Sequence, residues 1–369
     1  MAFNPSAPSA VLCVYHKRPT DAGWTNITDS AGINIVADWD AYTSKFNSSS
    51  TIKLKINNVH GDNDTYFHIG DFIRVFAGFD SIYPQPILEG KIYPNGMQHS
   101  SGTIEVTVND YIEALSYDHV NLSVDGMNYN GWECAMAMYD IVNGLYGSPL
   151  TFSACGTYDK MNFIVPANEI YGTPISRLEV IKKINEQMID VDYVNLYRPM
   201  KYYYYQYNDF DGALYIPRFK IIKEIDVASA TANKVLDGHV NALNGSATSN
   251  DYFYNALRIQ DSPKLVIQDE DSIGRYGKFE KIIKKEYEQP VQNTDLASTL
   301  LYTFNKTSYS FPISVRNFYE FNLGDIVEVS NMRNGLQNGN QIVTEIRGSP
   351  SGGTIVLSNV MTDISQYLS

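Results

Sequence analysis

"GDFIRVFAGFDSIYPQPILEGKIYPNG" spans residues 70–96, and "GDIVEVSNMRNGLQNGNQIVTEIRGSPSGG" spans residues 324–353. Both begin with Gly-Asp and a β-rich triplet, Phe72-Ile73-Arg74 in the first and Ile326-Val327-Glu328 in the second. A Val and a polar, turn-prone stretch follow, and each segment closes on a second β-rich run, residues 87–92 and 341–346. Gly before a strand lets the backbone turn, and Asp caps the amides of that turn. One chain therefore carries the same small β-unit twice, with Gly70, Asp71, Gly324 and Asp325 as its turn residues.

The residues around the first copy read as short strands. "TIKLKI" (51–56) alternates Ile52, Leu54 and Ile56 with Lys53 and Lys55, and "GTIEVTVNDYIEAL" (102–115) turns Ile104, Val106 and Val108 to one side. A period of two marks half-buried strands. Breaks at Gly61-Asp62-Asn63-Asp64, Pro94-Asn95-Gly96 and Ser101-Gly102 separate the runs at hairpin-like intervals. A small antiparallel barrel or sandwich is expected over 1–118. Around the second copy, "NALRIQ" (255–260), "SYSFPISVRNFYEFNLGDIVEVSN" (308–331) and "GTIVLSN" (353–359) predict a similar unit over 241–369. One helix interrupts it at 293–306, with Leu296, Ala297, Leu300, Leu301 and Phe304 on one face and Asn293 or Thr294 as its cap.

Residues 119–240 have a different texture. "GWECAMAMYDIVNGLYG" places Trp132, Ala135, Met136, Tyr139, Val142 and Tyr146 at helical spacing. "GTPISRLEVIKKINEQMID" predicts a second helix, capped by Thr173, with Pro174 at its first position and an apolar stripe of Ile175, Leu178, Ile181 and Met188. "KYYYYQYNDFDGALYIPRFKI" reads as a hairpin turning at Asp209-Phe210-Asp211-Gly212. The expected fold class is mainly β with an α+β insert, two similar small antiparallel β-barrels bracketing a mixed α/β middle section. A unit that occurs twice is too few copies for a solenoid or propeller.

Composition narrows the function. The chain has 369 residues, 44% hydrophobic and 19% charged, so extensive disorder is excluded. Its net charge of −13 argues against nucleic acid as the main partner, because phosphate binding needs clustered Lys and Arg. The one dense basic run, residues 281–285, is followed by Glu286 and Glu288 and reads as a solvated face. Cys13, Cys134 and Cys155 form no CxxC pair, which fits a reducing assembly compartment. The N-terminal residues do not have the pattern of a signal peptide, and no apolar run reaches the roughly 18 residues of a membrane span. Tyr is abundant at 28 residues, which suits strands and interfaces.

No stretch demands an active site. His16, His60, His68, His99, His119 and His239 form neither HExxH nor HxH, so surface or turn positions are expected and no metal or cofactor is implied. Asp62-Asn63-Asp64 lacks the ligand spacing and distal Glu of a Ca²⁺ loop. The carboxylate pairs Asp38/Asp40 and Asp209/Asp211 have the residue type for glycosidic acid–base work, but Asp is common in turns. No G-x-S-x-G, P-loop or G-x-G-x-x-G is present. The Tyr202–Tyr205 run offers a sugar-stacking platform on one reading and packing or a partner contact, through Tyr203 and Tyr205, on the other.

"FNLGDIVEVSNMRNG…NQIVTEIRGS…GGTIVLSN" resembles the C-terminal segment of tailed-phage tail hub (baseplate hub) proteins, the late control protein D family. "NALRIQDSPKLVIQDEDSIGRYGKFEKIIKKEYEQPVQNTDLASTLLYTF" is similar to that family's strand, Ser-Ile-x-x-Tyr-Gly turn (Ser272, Ile273, Tyr276, Gly277) and Ala/Leu-rich helix. The first Gly-Asp unit, with a strand ending in a short helix at 110–115, looks like the family's first barrel, and the 174–194 stretch looks like its middle-domain helix. The Tyr-rich hairpin departs from the pattern.

The resemblance implies tail-tube-like barrels and a structural protein of the virion tail, assembled in the host cytoplasm without stable membrane association. It implies a homotrimer that meets the six-fold tail tube protein through six barrels and a three-fold central spike or tail-tip protein through its middle domains. Other baseplate proteins are implied as neighbours, and viral DNA as a passenger through the channel. Cell-wall hydrolysis is expected on a separate protein. Three other readings stand beside it: a distal tail or tube-completion protein, a glycan-binding or glycan-cleaving adhesin using the Tyr-rich stretch, and the hub of a phage-like injection system.

Overall fold

The computed structural model describes residues 11–28, 35–78, 86–121, 134–143, 151–154, 174–187, 190–191, 199–200, 202–211, 214–223, 225–237, 248–249, 253–259, 262–283, 301, 309–331 and 338–360. The first part runs β1 (Val11–Lys17), β2 (Thr25–Asn26), β3 (Val36–Lys45), β4 (Thr51–Asn57), β5 (Phe72–Gly78), β6 (Pro86–Ser100), β7 (Thr103–Asp110) and α1 (Ala114–Tyr117). The middle runs β8 (His119–Val120), α2 (Cys134–Asn143), β9 (Thr151–Ala154), β10 (Ile175–Ser176) and α3 (Arg177–Gln187). It continues through β11 (Asp190–Val191), β12 (Pro199–Met200), β13 (Tyr202–Asp211) and β14 (Leu214–Lys223). Then come β15 (Lys234–Asp237), β16 (Thr248–Ser249), β17 (Ala256–Ile259), β18 (Ser262–Gln268), α4 (Glu270–Tyr276) and β19 (Glu280–Ile283). The last part is β20 (Tyr309–Val315), a 3₁₀ turn at Phe318–Glu320, β21 (Ile326–Ser330), β22 (Gly339–Ser349) and β23 (Gly352–Ser358).

Alternation sets which side of each strand is buried. Ile52, Leu54 and Ile56 of β4, and Ile104, Val106 and Val108 of β7, have no exposed surface. Phe311 and Ile313 of β20 and Ile355 and Leu357 of β23 are buried just as fully in the second unit. Each such side chain contributes roughly 1.5–3 kcal/mol relative to exposure. The strands then assemble twice in the same order, β3-β4-β7-β6-β5-β1 and β16-β20-β23-β22-β21-β15. One direction differs: β1 is antiparallel to β5, whereas β15 is parallel to β21.

The chain is mainly β with an α/β insert, but its two units are not separate bodies. β3 pairs with β22, so both units and β2 belong to one 13-stranded sheet. A single hydrophobic core runs from Val14 and Leu54 in the first unit to Ile313 and Leu357 in the second. Among the described residues no strand pairing closes either unit into a barrel. β15 falls within 119–240 in sequence and belongs to the second unit by pairing. β17, β18 and β19 form a three-stranded sheet of their own instead of joining that unit.

The insert has a second core, in which α2, α3 and the sheet β13-β14-β9 meet residues of α1 and the turn before it. α2 buries Ala137, Met138, Ile141 and Val142, while Met136 and Tyr139 of the expected stripe face outward. α3 begins later than its cap signal suggested. Ile175 is taken by pairing with Val120, and Ser176 Oγ accepts the Glu179 amide instead. Pro94-Asn95-Gly96 is a bulge inside the long β6, where the register jumps from Ile92 to Met97. Asp209 to Asp211, expected in a turn, lie in β13 and are paired as far as Asp211 with Leu214, while Gly212 lies outside the described residues. Ser272 to Tyr276 form a helix, capped by Asp269 accepting the Ser272 amide and ended by Gly277 at φ +83°. Trp132, Tyr146, Thr173, Met188, Cys155, His239 and the predicted helix over 293–306, save Leu301, lie outside the described residues.

Phe318 fills the seam between the units. Its ring centre lies 6.0 Å from both Trp39 and Tyr42 of β3, and a Cβ at Gly348 or Gly353 would run into it. Phe318→Ala is expected to cost about 3–5 kcal/mol in urea unfolding, and a loss below 1 kcal/mol would show that the seam does not depend on this ring.

Candidate functional site

The two Gly-Asp turns are the same structure twice. Gly70 has φ +96° and Gly324 has φ +84°, a region that disfavours side chains. The Gly70 amide donates to the Ile92 carbonyl at 2.7 Å, and the Gly324 amide to the Val343 carbonyl at 2.9 Å. The amides of Ile92 and Val343 donate back to the Asp71 and Asp325 carbonyls, both at 3.0 Å. The Asp71 and Asp325 amides reach the carbonyls of His68 and Asn322. Their carboxylates in turn accept the His68 and Asn322 amides, both at 2.9 Å. Each turn thereby locks β5 or β21 to its neighbour at a fixed register.

What else reaches each carboxylate differs, because β1 and β15 run in opposite senses. His16 Nε2 of β1 lies 2.8 Å from Asp71 Oδ2, with both side chains buried. In the second unit Asn233 Nδ2 donates to Asp325 Oδ1 at 2.9 Å, and Lys234 Nζ stands 3.7 Å away. His16 is therefore a core residue, not a surface one. Its signal was the alternation Leu12, Val14, His16 along one strand.

A second device repeats at the ends of β7 and β23. The Ser50 amide donates to Asp110 Oδ2 at 2.8 Å and the Asp110 amide to the Ser50 carbonyl at 2.9 Å. In the second unit the Tyr309 amide donates to Asn359 Oδ1 at 2.9 Å and the Asn359 amide to the Tyr309 carbonyl at 3.3 Å. Burial pushes the Asp110 carboxyl up to about 6, against hydrogen bonds from Ser50, Ser49 and Ile112 that pull it down. Sequence reading missed this clamp, since its members are Asp in one unit and Asn in the other.

The Tyr-rich hairpin is seated inside the molecule. Tyr203 and Tyr205, expected at a partner contact, are 2% and 3% exposed and pack on Phe46 within the chain. Tyr204 points the other way, stacking on Phe219 in the insert core. Asn47, at φ 59°, exchanges amide bonds with Tyr204, and Gln206 accepts the Tyr111 amide while donating to the Glu89 carbonyl. Asp209 is paired with Arg218 at 2.8 Å. Tyr276 and Gly277 sit at the end of α4, with the Tyr276 ring exposed against Phe253. Among the described residues no group of three or more His, Cys, Asp or Glu converges as a metal site would, and no helix is long and apolar enough to cross a membrane.

No protein-family model and no curated protein matches the sequence. Solved structures do. The prophage MuSo2 43 kDa tail protein from Shewanella oneidensis is 14% identical with a TM-score of 0.56, over 95% of this chain and 97% of that one. The prophage tail protein gp18 from Listeria monocytogenes is 9% identical with a TM-score of 0.54, over 96% and 97%. The chain has the fold of phage tail proteins. The E. coli c3393 protein, a type VI secretion system component, shares it at 10% identity and a TM-score of 0.51, over 89% and 74%. Because the likeness to the first two spans nearly the whole chain, both units and the insert belong to the common tail-protein fold.

Two outcomes test the repeated devices. Gly70→Ala and Gly324→Ala are each expected to lower stability by about 1–2 kcal/mol, the left-handed backbone cost. Gly324→Ala should lose the more, because its methyl would meet Ile222 Cδ1 at 3.2 Å whereas Gly70 faces open space. Equal, negligible losses in equilibrium unfolding would contradict this. Asp110 titrates near 6 when folded against 3.8 in a free chain, so the folded state holds the proton more tightly. Its contribution therefore rises as pH falls from about 6 to about 4, by on the order of 3 kcal/mol. Asp110→Asn should flatten that rise, and an unchanged pH profile of unfolding would refute the assignment.

Proposed function

We propose that this protein is the hub at the tip of a phage-type tail, a homotrimer that adapts a six-fold tube to a three-fold spike. The observation that carries this reading is the internal repeat. Two units with one strand order and the same two locking devices occur in one chain, on a fold shared with prophage tail proteins. Three such chains in a closed ring present six near-equivalent units to a tail tube protein. The α/β insert, present once per chain, keeps three-fold symmetry toward a spike, tail-tip or other baseplate protein.

The role is structural, and DNA is a passenger. The net charge of −13 suits a channel that does not grip phosphates, since retained contacts would slow passage. The hub of a phage-like injection system is the second reading. It is favoured by the likeness to a type VI secretion system component and uses the same mechanics for a different cargo. The adhesin reading loses its platform, because Tyr203, Tyr204 and Tyr205 are buried.

Native mass of the purified protein, alone and mixed with the products of neighbouring genes, tests the proposal. A species of three 41.5 kDa chains is expected in at least one sample. A stable monomer in both would refute the adaptor.

A further inference from the structure

The contact that joins the two units has a counterpart that the chain leaves open. β23 covers one edge of β22, and the other edge is shared end to end by β21, at residues 339–342, and β3, at residues 345–348. β3 is the outer strand of the first unit's order, so the junction lays an edge strand of one unit just past the Gly-Asp turn of the next. There Ser44 faces Ile346 and Thr43 faces Arg347.

β6 has the same vacancy in the first unit. β5 covers its residues 86–91, and β7 lies along the opposite edge. Among the described residues no strand pairs with residues 97–100 on the β5 side, and Gln98, His99 and Ser100 are exposed. The register identifies the equivalent positions. Ile92 and Val343, which donate to the two Asp carbonyls, pair with Val108 and Leu357. Two residues back along those partner strands, Val106 pairs with Met97 and Ile355 with Ile346. Met97 and Gln98 are thus the first unit's Ile346 and Arg347.

The matching edge strand is β16. Thr248 pairs with Ser310 as Thr43 pairs with Thr51, and Ser310 and Thr51 hold equivalent places against Ser358 and Asn109. Thr248-Ser249 therefore stands where Thr43-Ser44 stands, with the same residue types in the same order. β16 ends the sheet, with β20 its one partner among the described residues.

We infer that β16 of one copy of this chain adds to the open edge of β6 in the next copy, with Ser249 opposite Met97 and Thr248 opposite Gln98. An edge with free amides and carbonyls is a template for strand addition. Two exposed apolar side chains flank it: Val59 (68% exposed), beside Gly102 at the β6–β7 turn, and Ile69 (61% exposed), next to Gly70. The contact is head to tail, which makes a ring when the rotation closes. Internal and intermolecular junctions then alternate, and every unit has the same two kinds of neighbour. The inference rests on the trimeric reading above.

The test uses full-length Ser249→Cys/Met97→Cys and Thr248→Cys/Gln98→Cys variants, oxidised and run without reductant, with single variants as controls and native mass taken on the same samples. Directly opposite Cβ atoms lie about 4.5–5.5 Å apart, closer at non-hydrogen-bonded sites, so one of two adjacent pairs should close. Covalent dimers and trimers that collapse on reduction, and are absent from the single variants, are expected. A native trimer with no cross-link from either pair overturns the edge contact and leaves the trimer standing. A monomer under all conditions overturns both. Should the variants not fold, hydrogen exchange on the unsubstituted trimer decides: protection at 97–100 and 248–249 is expected, and fast exchange at both overturns the contact.

Discussion

The pairing of β3 with β22 is the interaction on which the architecture depends, because it turns two copies of a β-unit into one sheet with one core. Backbone amides and carbonyls at a strand edge must find partners when buried, and β22 has the length to take two strands in line on one edge. The seam is packed accordingly. Trp39 and Tyr42 come from β3, Phe318 from the turn before β21, and Gly348 and Gly353 make room for its ring. Phe46, just past β3, reaches to within 3.8 Å of where a Gly324 side chain would begin. The seam and the second Gly-Asp turn are therefore one locked region.

Polar contacts join the apolar ones in holding the insert to this frame. Gln206 reads the backbone of both β6 and the turn after β7, and Asn47 does the same for Tyr204. Nearby, Arg74 lies over the rings of Trp24 and Tyr215 while its Nε donates to Glu89 at 2.6 Å. Burial raises the Glu89 carboxyl, against the pull of Arg74 and of the Tyr111 hydroxyl. Such satisfied networks fix orientation more than they add stability.

Much of this was legible in the residues. The alternations in β4 and β7 name their buried faces, and the paired Gly-Asp segments name a repeat whose hydrogen bonds match in detail. What was not legible depends on contacts distant in sequence. α2 offers two overlapping apolar stripes, and only the position of the insert sheet decides that Ala137 and Ile141, not Met136 and Tyr139, turn inward. The Tyr run is equally suited to a surface and a core, and Phe46 and Phe219 on opposite sides settle it. The Asp110–Asn359 correspondence is hidden because different residue types make the same bonds. The junction itself pairs residues some three hundred positions apart, beyond any local signal.

The central claim, that the internal repeat serves a change of symmetry, is tested most directly by an electron cryomicroscopy reconstruction of the protein together with the tail tube protein that the proposal pairs it with. The account predicts six β-units in one ring, each turned about 60° from the next, with three inserts on the face away from the tube. Units of one chain stacked along the tube axis, or a ring with any other number of units, would contradict it.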